Sequence, residues 1–367
     1  MGFREKIMTR EIVGNKYLDT FRTALLKRNV KSVSSVIDLI DIYMVYQKHK
    51  SDIPTSPLIV GGGSNLLFVG NYSGPVILNQ IKGIQIEEDL DAWYLHVGSG
   101  ESWHKLVSFT IQKGIFGMEN LALIPGTVGA APIQNIGAYG VEFKEFCDYV
   151  EVLDSDTLML KRLCKDECQF GYRDSTFKQP QNKKLIITGV GFRISKEWKP
   201  VLSYGELSKL DPTRVTAQQI YELVIKTRKE KLPDPEHIGN AGSFFKNPIV
   251  TKEKLEFLSQ KYPDMPFYPI DEKAGYDFVK LAAGWLIDKC ELKGFELNGA
   301  KVHEKQALVL INANNATGKD IALLAKIVQS SVQDKFGVLL EPEVRFIGKL
   351  GEVNALKYLS KISYQND

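Results

Sequence analysis

The residues best suited to chemistry form a glycine-rich, apolar stretch at residues 123–140, Leu-Ile-Pro-Gly-Thr-Val-Gly-Ala-Ala-Pro-Ile-Gln-Asn-Ile-Gly-Ala-Tyr-Gly. Glycine loses more conformational entropy on ordering than any other residue, so this much glycine in a hydrophobic segment needs a physical reason. A bound ligand supplies one, because bare backbone can offer N–H groups to a phosphate or a polar ring edge. A tight buried turn between core strands is the alternative interpretation.

A second glycine-rich turn, Gly61-Gly62-Gly63-Ser64-Asn65, follows the short apolar run at residues 57–60, which predicts a buried strand. A strand followed by a glycine turn is where α/β proteins bind phosphate. Neither Gly-x-Gly-x-x-Gly nor Gly-x-x-x-x-Gly-Lys-Ser/Thr is present, so this turn is neither the dinucleotide fingerprint nor a P-loop. Together with the stretch at residues 123–140, this glycine turn favours a dinucleotide-sized ligand held between two lobes.

Two further segments carry groups that could act on a ligand. Residues 239–248 offer the hydroxyl of Ser243 and the polar ends of Lys246 and Asn247 next to two phenylalanines, whose apolar surroundings strengthen charge interactions. Near the C-terminus, Glu343 precedes Val-Arg-Phe-Ile, a predicted buried strand, and we expect its carboxylate to line a cleft. A structural turn and a surface carboxylate are the respective alternatives.

Hydrophobic periodicity and capping residues predict the elements that position these groups. Helices are expected around residues 34–48, from Ser102 to Gly114, after the capping box at residues 216–219, at residues 280–290 and from Thr317 to Gly337. His104 can be a ligand or a base, but a surface or packing role is expected. The basic run at residues 226–231 reads as a solvated helix end, with Lys231 the member expected to point at a site.

The middle of the chain is dominated by strands, with predicted segments at residues 149–153, 158–163 and 185–194 and a further strand at 340–347. This order differs from the alternating strand and helix of a doubly wound domain and indicates an α+β protein.

Composition excludes several classes of function. The chain has 367 residues, 44% hydrophobic and 25% charged, and a net charge of +3, as in an ordinary soluble protein of two or three domains. That charge is too small to indicate a nucleic-acid or membrane partner. The four cysteines show no zinc-site spacing, so no metal is expected. No apolar run approaches about 20 residues, and a cytoplasmic protein is expected.

The motifs taken together resemble a known family. Residues 61–67, 123–140, 171–175, 239–248 and 340–346 are similar, in order, to segments of the UDP-N-acetylenolpyruvoylglucosamine reductases, flavin enzymes of bacterial peptidoglycan precursor synthesis. The resemblance covers roughly residues 57–350. Two departures stand out: Asp19-Thr-Phe-Arg22 replaces the usual Asn-Thr-Phe-Gly, and a few extra residues occur around 272–275.

The resemblance implies an α+β architecture, with a two-lobed FAD-binding fold of the vanillyl-alcohol-oxidase/PCMH type and a C-terminal α+β substrate-binding domain. The first lobe would comprise residues 1–80, completed by about 338–367, the second lobe residues 81–230 and the substrate domain residues 231–337. A monomer is expected that acts on small molecules. NADPH would reduce FAD, and the reduced FAD would pass hydride to the enolpyruvyl ether of the UDP-sugar.

The resemblance also implies roles for individual residues. Ser243 would donate the proton, while Arg173 and Glu343 would stabilise the enediolate formed on the substrate carboxylate side. The residues expected to bind FAD are Gly61, Gly62, Gly63, Ser64, Asn65, Ile124, Pro125, Gly126, Thr127, Gly129, Ala130, Ala131, Ile133 and Gly137. The residues expected to bind the UDP-sugar are Tyr139, Tyr204, Lys231, Asn247, Tyr268 and Gln306.

Three other functions compete with this interpretation. A different flavin enzyme on the same scaffold, such as an alcohol or sugar oxidase, would not need Ser243, Arg173 and Glu343 and would consume oxygen. A non-enzymatic nucleotide-sugar or flavin-binding module would leave those three residues without a purpose. A nucleic-acid binder is the weakest alternative, because the chain shows no basic-aromatic stripe.

Overall fold

The computed structural model describes residues 17–23, 30–51, 55–270 and 277–363, so the extra residues expected around 272–275 lie outside the described residues. The described residues divide between two compact units. The first unit comprises residues 30–51, 55–63 and 74–230, and the second comprises residues 17–23, 64–73, 231–270 and 277–363.

The first unit contains a small parallel sheet. Its strands lie in the order Val30–Val33, Val76–Asn79, Leu58–Val60. The helix Val36–Lys48 confirms the prediction around residues 34–48 and begins at Ser35, whose hydroxyl accepts a hydrogen bond from the Asp38 N–H at 3.1 Å. Its buried residues pack with the sheet in one small core.

The larger sheet of the first unit is antiparallel and five-stranded. Its order is Leu160–Cys164, Cys147–Asp154, Leu185–Ser195, Ala92–Gly98, Ile84–Glu88. The hairpin and the long strand predicted from the sequence are therefore confirmed. Alternate residues such as Leu95, Val150 and Phe192 face the main core of this unit, as the period of two requires.

Two helices complete the first unit. Trp103–Gln112 has Ser102 at its N-cap, as predicted, and buries one apolar face. Ala217–Lys231 begins with the predicted capping box, in which the Gln219 N–H donates to the Thr216 hydroxyl at 3.2 Å and Thr216 N–H to the Gln219 side chain at 2.9 Å. A short two-stranded ribbon, Gly137–Ala138 with Val141–Glu142, closes the end of the glycine-rich stretch.

A buried carboxyl group lies in the segment between the helix Trp103–Gln112 and the glycine-rich stretch. Glu119 is 2% exposed and accepts hydrogen bonds from the Trp198 indole at 2.6 Å and the Gly117 N–H at 2.6 Å. Burial raises the pKa of Glu119, and the indole bond opposes that rise only in part.

The second unit is built from three sheets around its own core. A four-stranded sheet has the order Gly239–Ser243, Val309–Asn312, Ala300–Val302, Glu296–Leu297. A three-stranded sheet has the order Ile249–Thr251, Phe278–Leu281, Phe267–Pro269. The third has the order Gly351–Val353, Arg345–Gly348, Leu66–Phe68, in which the last pair is parallel.

Four helices belong to the second unit: Lys252–Lys261, Ala283–Lys289, Gly318–Phe336 and Ala355–Lys361. The longest begins at a Thr317 capping box and ends at Gly337, whose φ of 62° suits glycine, as predicted.

Two sequence predictions in this unit are wrong in part. Residues 280–290 do not form one helix, because Phe278–Leu281 alternates exposed and buried side chains and pairs as a strand before the helix starts at Ala283. The strand predicted at 340–347 starts only at Arg345, and residue 342 makes a single bridge to Phe245. Pro342 has no N–H to continue a ladder.

With helices beside mainly antiparallel sheets, the predicted α+β class is confirmed. Among the helices of the described residues, none combines the length and apolar character needed to cross a bilayer.

Candidate active site

In the first unit, the two glycine-rich segments lie directly against each other. A Cβ atom placed on Gly62 would lie 3.2 Å from the Cα of Gly126, and one placed on Gly61 would lie 2.3 Å from Thr127 Oγ1. Gly63 has a φ of 67°, which glycine adopts without strain. The structure therefore brings together predicted cofactor residues from both segments and explains why two of them lack a side chain.

The segment 124–133 combines accessible backbone with anchored ends. Its Gly129 N–H donates to the Ser99 carbonyl at 2.8 Å, while Ile124 and Ile133 pack against the core. Ala131 is buried, whereas Pro125 and Ala130 are exposed. This arrangement holds an apolar, glycine-rich surface in a fixed shape, which suits a flat ligand with both polar and apolar faces.

Four residues in the same loop and in the turn beside it have strained backbone. Leu123, Asn135, Tyr139 and Arg173 have φ values of 57°, 43°, 50° and 52°, in the left-handed region that residues with side chains seldom adopt. Each such residue costs about 1–3 kcal/mol and persists only where the surroundings enforce it. Strained residues are often found at functional sites, and these four lie at or beside the predicted ligand site, although six more occur elsewhere in the described residues.

Arg173 is held against the end of this loop. Its guanidinium donates to the Gly137 carbonyl at 2.8 Å, and Asn135 donates to the carbonyl of Gly171, in the same turn, at 3.0 Å. Lys178 donates to the carbonyl of Arg173 at 2.9 Å and fixes the turn from the other side. Two residues predicted for different roles, Arg173 and Gly137, are thus in direct contact.

The sequence did not single out Arg228, which the structure places at the start of the loop. It donates from Nε to the Leu123 carbonyl at 3.3 Å, and burial lowers the pKa of its guanidinium. The interpretation of residues 226–231 as a solvated face is therefore wrong at this position. Arg228 follows Ile220 and Val224 at intervals of four residues, which places all three on one face of the helix. This spacing was the sequence signal that could have indicated an inward-facing Arg228.

His104 has the packing role that was expected. Its Nδ1 accepts a hydrogen bond from the Leu123 N–H at 3.1 Å, and its ring stacks on Tyr221 with centroids 6.1 Å apart. Burial, followed by the positive charges of Lys229 and Arg228, lowers the pKa of His104, which favours the neutral imidazole that this bond needs. Both backbone groups of Leu123 are consequently held by side chains.

Tyr139 lies near Arg228. Asn120 donates to its carbonyl at 2.8 Å, which supports the strained backbone. Burial raises the pKa of the Tyr139 phenol, and the charge of Arg228 opposes that rise. A neutral phenol that can donate a hydrogen bond is the result at ordinary pH.

In the second unit, a β-bulge exposes Ser243. The pairing of Gly239–Ser243 with Val309–Asn312 shifts register between Asn240 and Ser243. Gly242 has a φ of 69°, and its N–H donates to the Asn240 side chain at 2.9 Å. Bulges redirect side chains, and here Ser243 ends the strand with an exposed side chain beside the buried Phe244.

Glu343 lies next to this strand end. Its N–H donates to the Phe244 carbonyl at 2.8 Å, and its carbonyl accepts from the Asn65 side chain at 3.2 Å. The Asn65 carbonyl in turn accepts from the Arg345 N–H at 3.0 Å. The structure therefore brings together Ser243, Glu343 and Asn65, while Lys246 forms an ion pair with Glu341 at 2.7 Å.

The other predicted site residues lie at separate positions in the described structure. Asn247 accepts from the Ala283 N–H at 3.0 Å, and the Gln306 side chain accepts from the Leu308 N–H at 3.4 Å, so both also have a structural role. Tyr268 pairs across strands with Lys280. Tyr204 is 37% exposed, Lys231 ends its helix with an exposed side chain, and Ser64 is partly buried.

Within the described residues, no three His, Cys, Asp or Glu side chains gather in a way that would hold a metal ion.

Comparison with known proteins matches two parts of the chain to family models. A family model for the C-terminal domain of UDP-N-acetylenolpyruvoylglucosamine reductase matches residues 234–347, and a model for an FAD binding domain matches residues 30–161. A solved UDP-N-acetylenolpyruvylglucosamine reductase from Thermus caldophilus superposes with a TM-score of 0.56 at 23% identity, covering 86% of this chain and 90% of its own. At that identity the likeness concerns the fold alone.

Curated relatives are much more similar in sequence. The UDP-N-acetylenolpyruvoylglucosamine reductase of Pectobacterium atrosepticum is 56% identical over 303 residues, which are 83% of this chain and 87% of the relative. The Escherichia coli protein of the same name is 55% identical over the same shares. With this identity over most of both chains, and with both domain models matched in order, the chain belongs to the family of UDP-N-acetylenolpyruvoylglucosamine reductases.

Proposed function

We propose that this protein reduces UDP-N-acetylenolpyruvoylglucosamine to UDP-N-acetylmuramate for peptidoglycan synthesis, with FAD as cofactor and NADPH as reductant. The reductase activity and the FAD dependence follow from family membership. NADPH as the source of electrons and the roles of individual residues are the further parts of the proposal. The single observation that carries it is the contact between the two glycine-rich segments within the matched FAD binding domain.

The described residues fit FAD. The close approach of Gly62 to Gly126 leaves a surface without side chains, and Pro125 and Ala130 expose apolar atoms beside it. Backbone N–H groups of residues 61–63 would serve the diphosphate, and residues 124–137 would hold the ring system. When bound, FAD supplies the group that accepts and returns a hydride.

Three side chains would act on the substrate. Arg173, held in place by Gly137, would pair with the substrate carboxylate through its planar guanidinium. Glu343 would complete the stabilisation of charge there. The Ser243 hydroxyl would donate a proton from Oγ to the neighbouring carbon, and the bulge that exposes this residue supports that role.

The remaining assignments come from the family resemblance. Six residues would bind the UDP-sugar: Tyr139, Tyr204, Lys231, Asn247, Tyr268 and Gln306. Lys231, with its exposed ammonium, would pair with the diphosphate. We also propose two FAD-binding lobes at residues 1–80 with 338–367 and at 81–230, a substrate domain at 231–337, and a monomeric enzyme in the cytoplasm.

An anaerobic absorbance experiment tests the proposal. The purified protein is expected to show a flavin band that NADPH bleaches and that UDP-N-acetylenolpyruvoylglucosamine restores without oxygen. Bleaching without recovery would retain the flavin but indicate another electron acceptor, such as the oxygen used by an oxidase. A colourless protein that cannot be reconstituted with FAD would refute the flavoenzyme.

A further inference from the structure

Asn135 lies fully buried beside the turn that carries Arg173. The residue is 0% exposed, and its φ of 43° lies in the left-handed region that asparagine tolerates better than most residues. Its Oδ1 accepts a hydrogen bond from the Lys144 N–H at 2.9 Å. Its Nδ2 donates to Glu142 Oε2 at 2.9 Å and to the Gly171 carbonyl at 3.0 Å. These bonds fix the orientation of the amide, because a reversed amide would set NH2 against N–H and oxygen against oxygen.

Other side-chain hydrogen bonds also join the Arg173 turn to the glycine-rich stretch. The Ser175 hydroxyl donates to the Ile133 carbonyl at 2.7 Å, and the Arg173 guanidinium donates to the Gly137 carbonyl at 2.8 Å. The bond from Arg173 uses the group that would bind the substrate carboxylate, so a bound carboxylate would compete with it. The bond from Asn135 reaches the backbone of the turn instead. It can therefore hold the turn in place while the guanidinium binds a ligand.

We propose that Asn135 is a positioning residue for the reduction, because it holds the backbone of the Arg173 turn where the guanidinium can meet the substrate carboxylate. This inference rests on the proposed function, since it needs Arg173 to pair with that carboxylate. Asn135 is sealed from solvent and acts on the substrate only through Arg173. A displacement of about 1 Å at a group that orients a substrate can cost about 100-fold in rate. Loss of the Asn135 side chain should therefore slow the step that uses the substrate and spare the step that uses NADPH.

Replacement of Asn135 by Gly tests this role. The change removes the hydrogen bonds of the side chain but keeps the backbone conformation, because glycine adopts a positive φ without strain. In stopped-flow traces of the FAD-loaded variant, reoxidation by UDP-N-acetylenolpyruvoylglucosamine is expected to slow by about 100-fold, while reduction by NADPH stays unchanged. Equal slowing of both steps, or an unchanged rate of reoxidation, would overturn the inference.

Asn182→Gly is the matched control. The Nδ2 of Asn182 also donates two hydrogen bonds, to the Thr176 carbonyl at 3.1 Å and to the Thr176 hydroxyl at 2.8 Å, but neither bond reaches Arg173 or residue 171. Both steps are expected to keep their wild-type rates in this variant. Slowing of reoxidation in Asn182→Gly as large as in Asn135→Gly would show a general effect of losing a buried amide and would overturn the inference.

A double-mutant cycle separates an action through Arg173 from a general loss of structure. Arg173→Gln alone is expected to slow reoxidation by the UDP-sugar. In that background Asn135→Gly is expected to slow it little further, because the group that Asn135 positions is already absent. Two effects that multiply in the double variant would show that Asn135 acts independently of Arg173 and would overturn the inference.

A second variant covers the case in which Asn135→Gly does not retain FAD. Asn135→Asp keeps the shape of the side chain and the oxygen that accepts from Lys144, but it loses the NH2 group that donates to Gly171. It is carried through the same cycle with the same expected results. If neither variant retains FAD, Asn135 is needed for folding or for cofactor binding, and the inference is overturned.

The two proposals fail in different ways. A protein that binds no FAD, or an Arg173→Gln variant that is reoxidised by the UDP-sugar at the wild-type rate, refutes the proposed function or the role proposed for Arg173, and this inference with it. Slow reoxidation of Arg173→Gln together with normal reoxidation of Asn135→Gly refutes this inference alone.

Discussion

Substitution of Gly61 by Ala tests whether the contact between the two glycine-rich segments sets the shape of the FAD site. The added Cβ would lie 2.3 Å from Thr127 Oγ1, 3.2 Å from its Cγ2 and 3.3 Å from its Cβ. Ordinary contact requires about 3.4 Å or more, so either Thr127 must adopt another rotamer or one segment must move by about 1 Å. Overpacking of this kind typically costs about 1–3 kcal/mol.

The strain is expected in FAD binding as well as in folding, because Thr127 and the backbone beside it belong to the surface that would carry the cofactor. If about 2 kcal/mol falls on the bound state, the Kd for FAD rises about 30-fold. The assay is titration of the apoprotein with FAD, followed by flavin fluorescence, together with urea unfolding of the same samples.

Thr127→Ala supplies the decisive comparison. It removes Oγ1 and Cγ2 and leaves only the 3.3 Å contact, so Gly61→Ala in this background is expected to cost much less than alone. Gly171→Ala is the matched control, since its Cβ would meet nothing closer than Asp174 Cβ at 3.6 Å. Normal FAD affinity in Gly61→Ala, or the same loss with and without Thr127, would refute the reasoning.

Three further predictions concern single side chains. Ser243→Ala should leave reduction of FAD by NADPH intact while slowing reoxidation by the UDP-sugar in stopped-flow traces; equal slowing of both half-reactions would contradict proton donation. Lys231→Ala should raise the KM for the UDP-sugar by about tenfold, the loss of one charge-assisted contact of about 1.4 kcal/mol, without changing FAD content, and Lys226→Ala is the control. A KM unchanged in Lys231→Ala would remove this residue from the site. For Glu119, the raised pKa means that the folded state holds the proton more tightly, so its contribution to stability falls as pH rises above about 4.5. Glu119→Gln places an amide NH2 group opposite one of the two N–H donors that contact Glu119. The free energy of unfolding should therefore fall by about 1–3 kcal/mol at low pH, and its difference from wild type should narrow toward neutral pH in urea unfolding. If the difference in unfolding free energy instead widens as pH rises, the two hydrogen bonds to Glu119 outweigh the effect of burial on its pKa.

The sequence predicted the features that depend on local chemistry. Helices with clear caps, such as those beginning at Ser102, Thr216 and Thr317, lie where expected because the capping hydrogen bonds are made within a few residues. Residue type alone indicated that the glycines allow a close approach, but only the structure shows that the two glycine-rich segments approach each other.

Features that depend on distant partners were not predictable. The exposure of Ser243 arises from a register shift against Val309–Asn312, and nothing in the local pattern indicates a bulge there. Leucine gives no signal of the left-handed conformation at Leu123, which His104 and Arg228 enforce from two helices. Arg228 was misread because a lysine-rich helix end usually faces solvent.

The pairing of Leu66–Phe68 with Arg345–Gly348 has a consequence for synthesis of the chain. Asn65 and its partner Glu343 are 278 residues apart, so the ribosome releases the first strand long before the second exists. Until then Leu66, Leu67 and Phe68, all buried in the finished molecule, have no parallel neighbour to cover them. Nascent chains of this protein should therefore need a holding chaperone, and products truncated before Arg345 should aggregate.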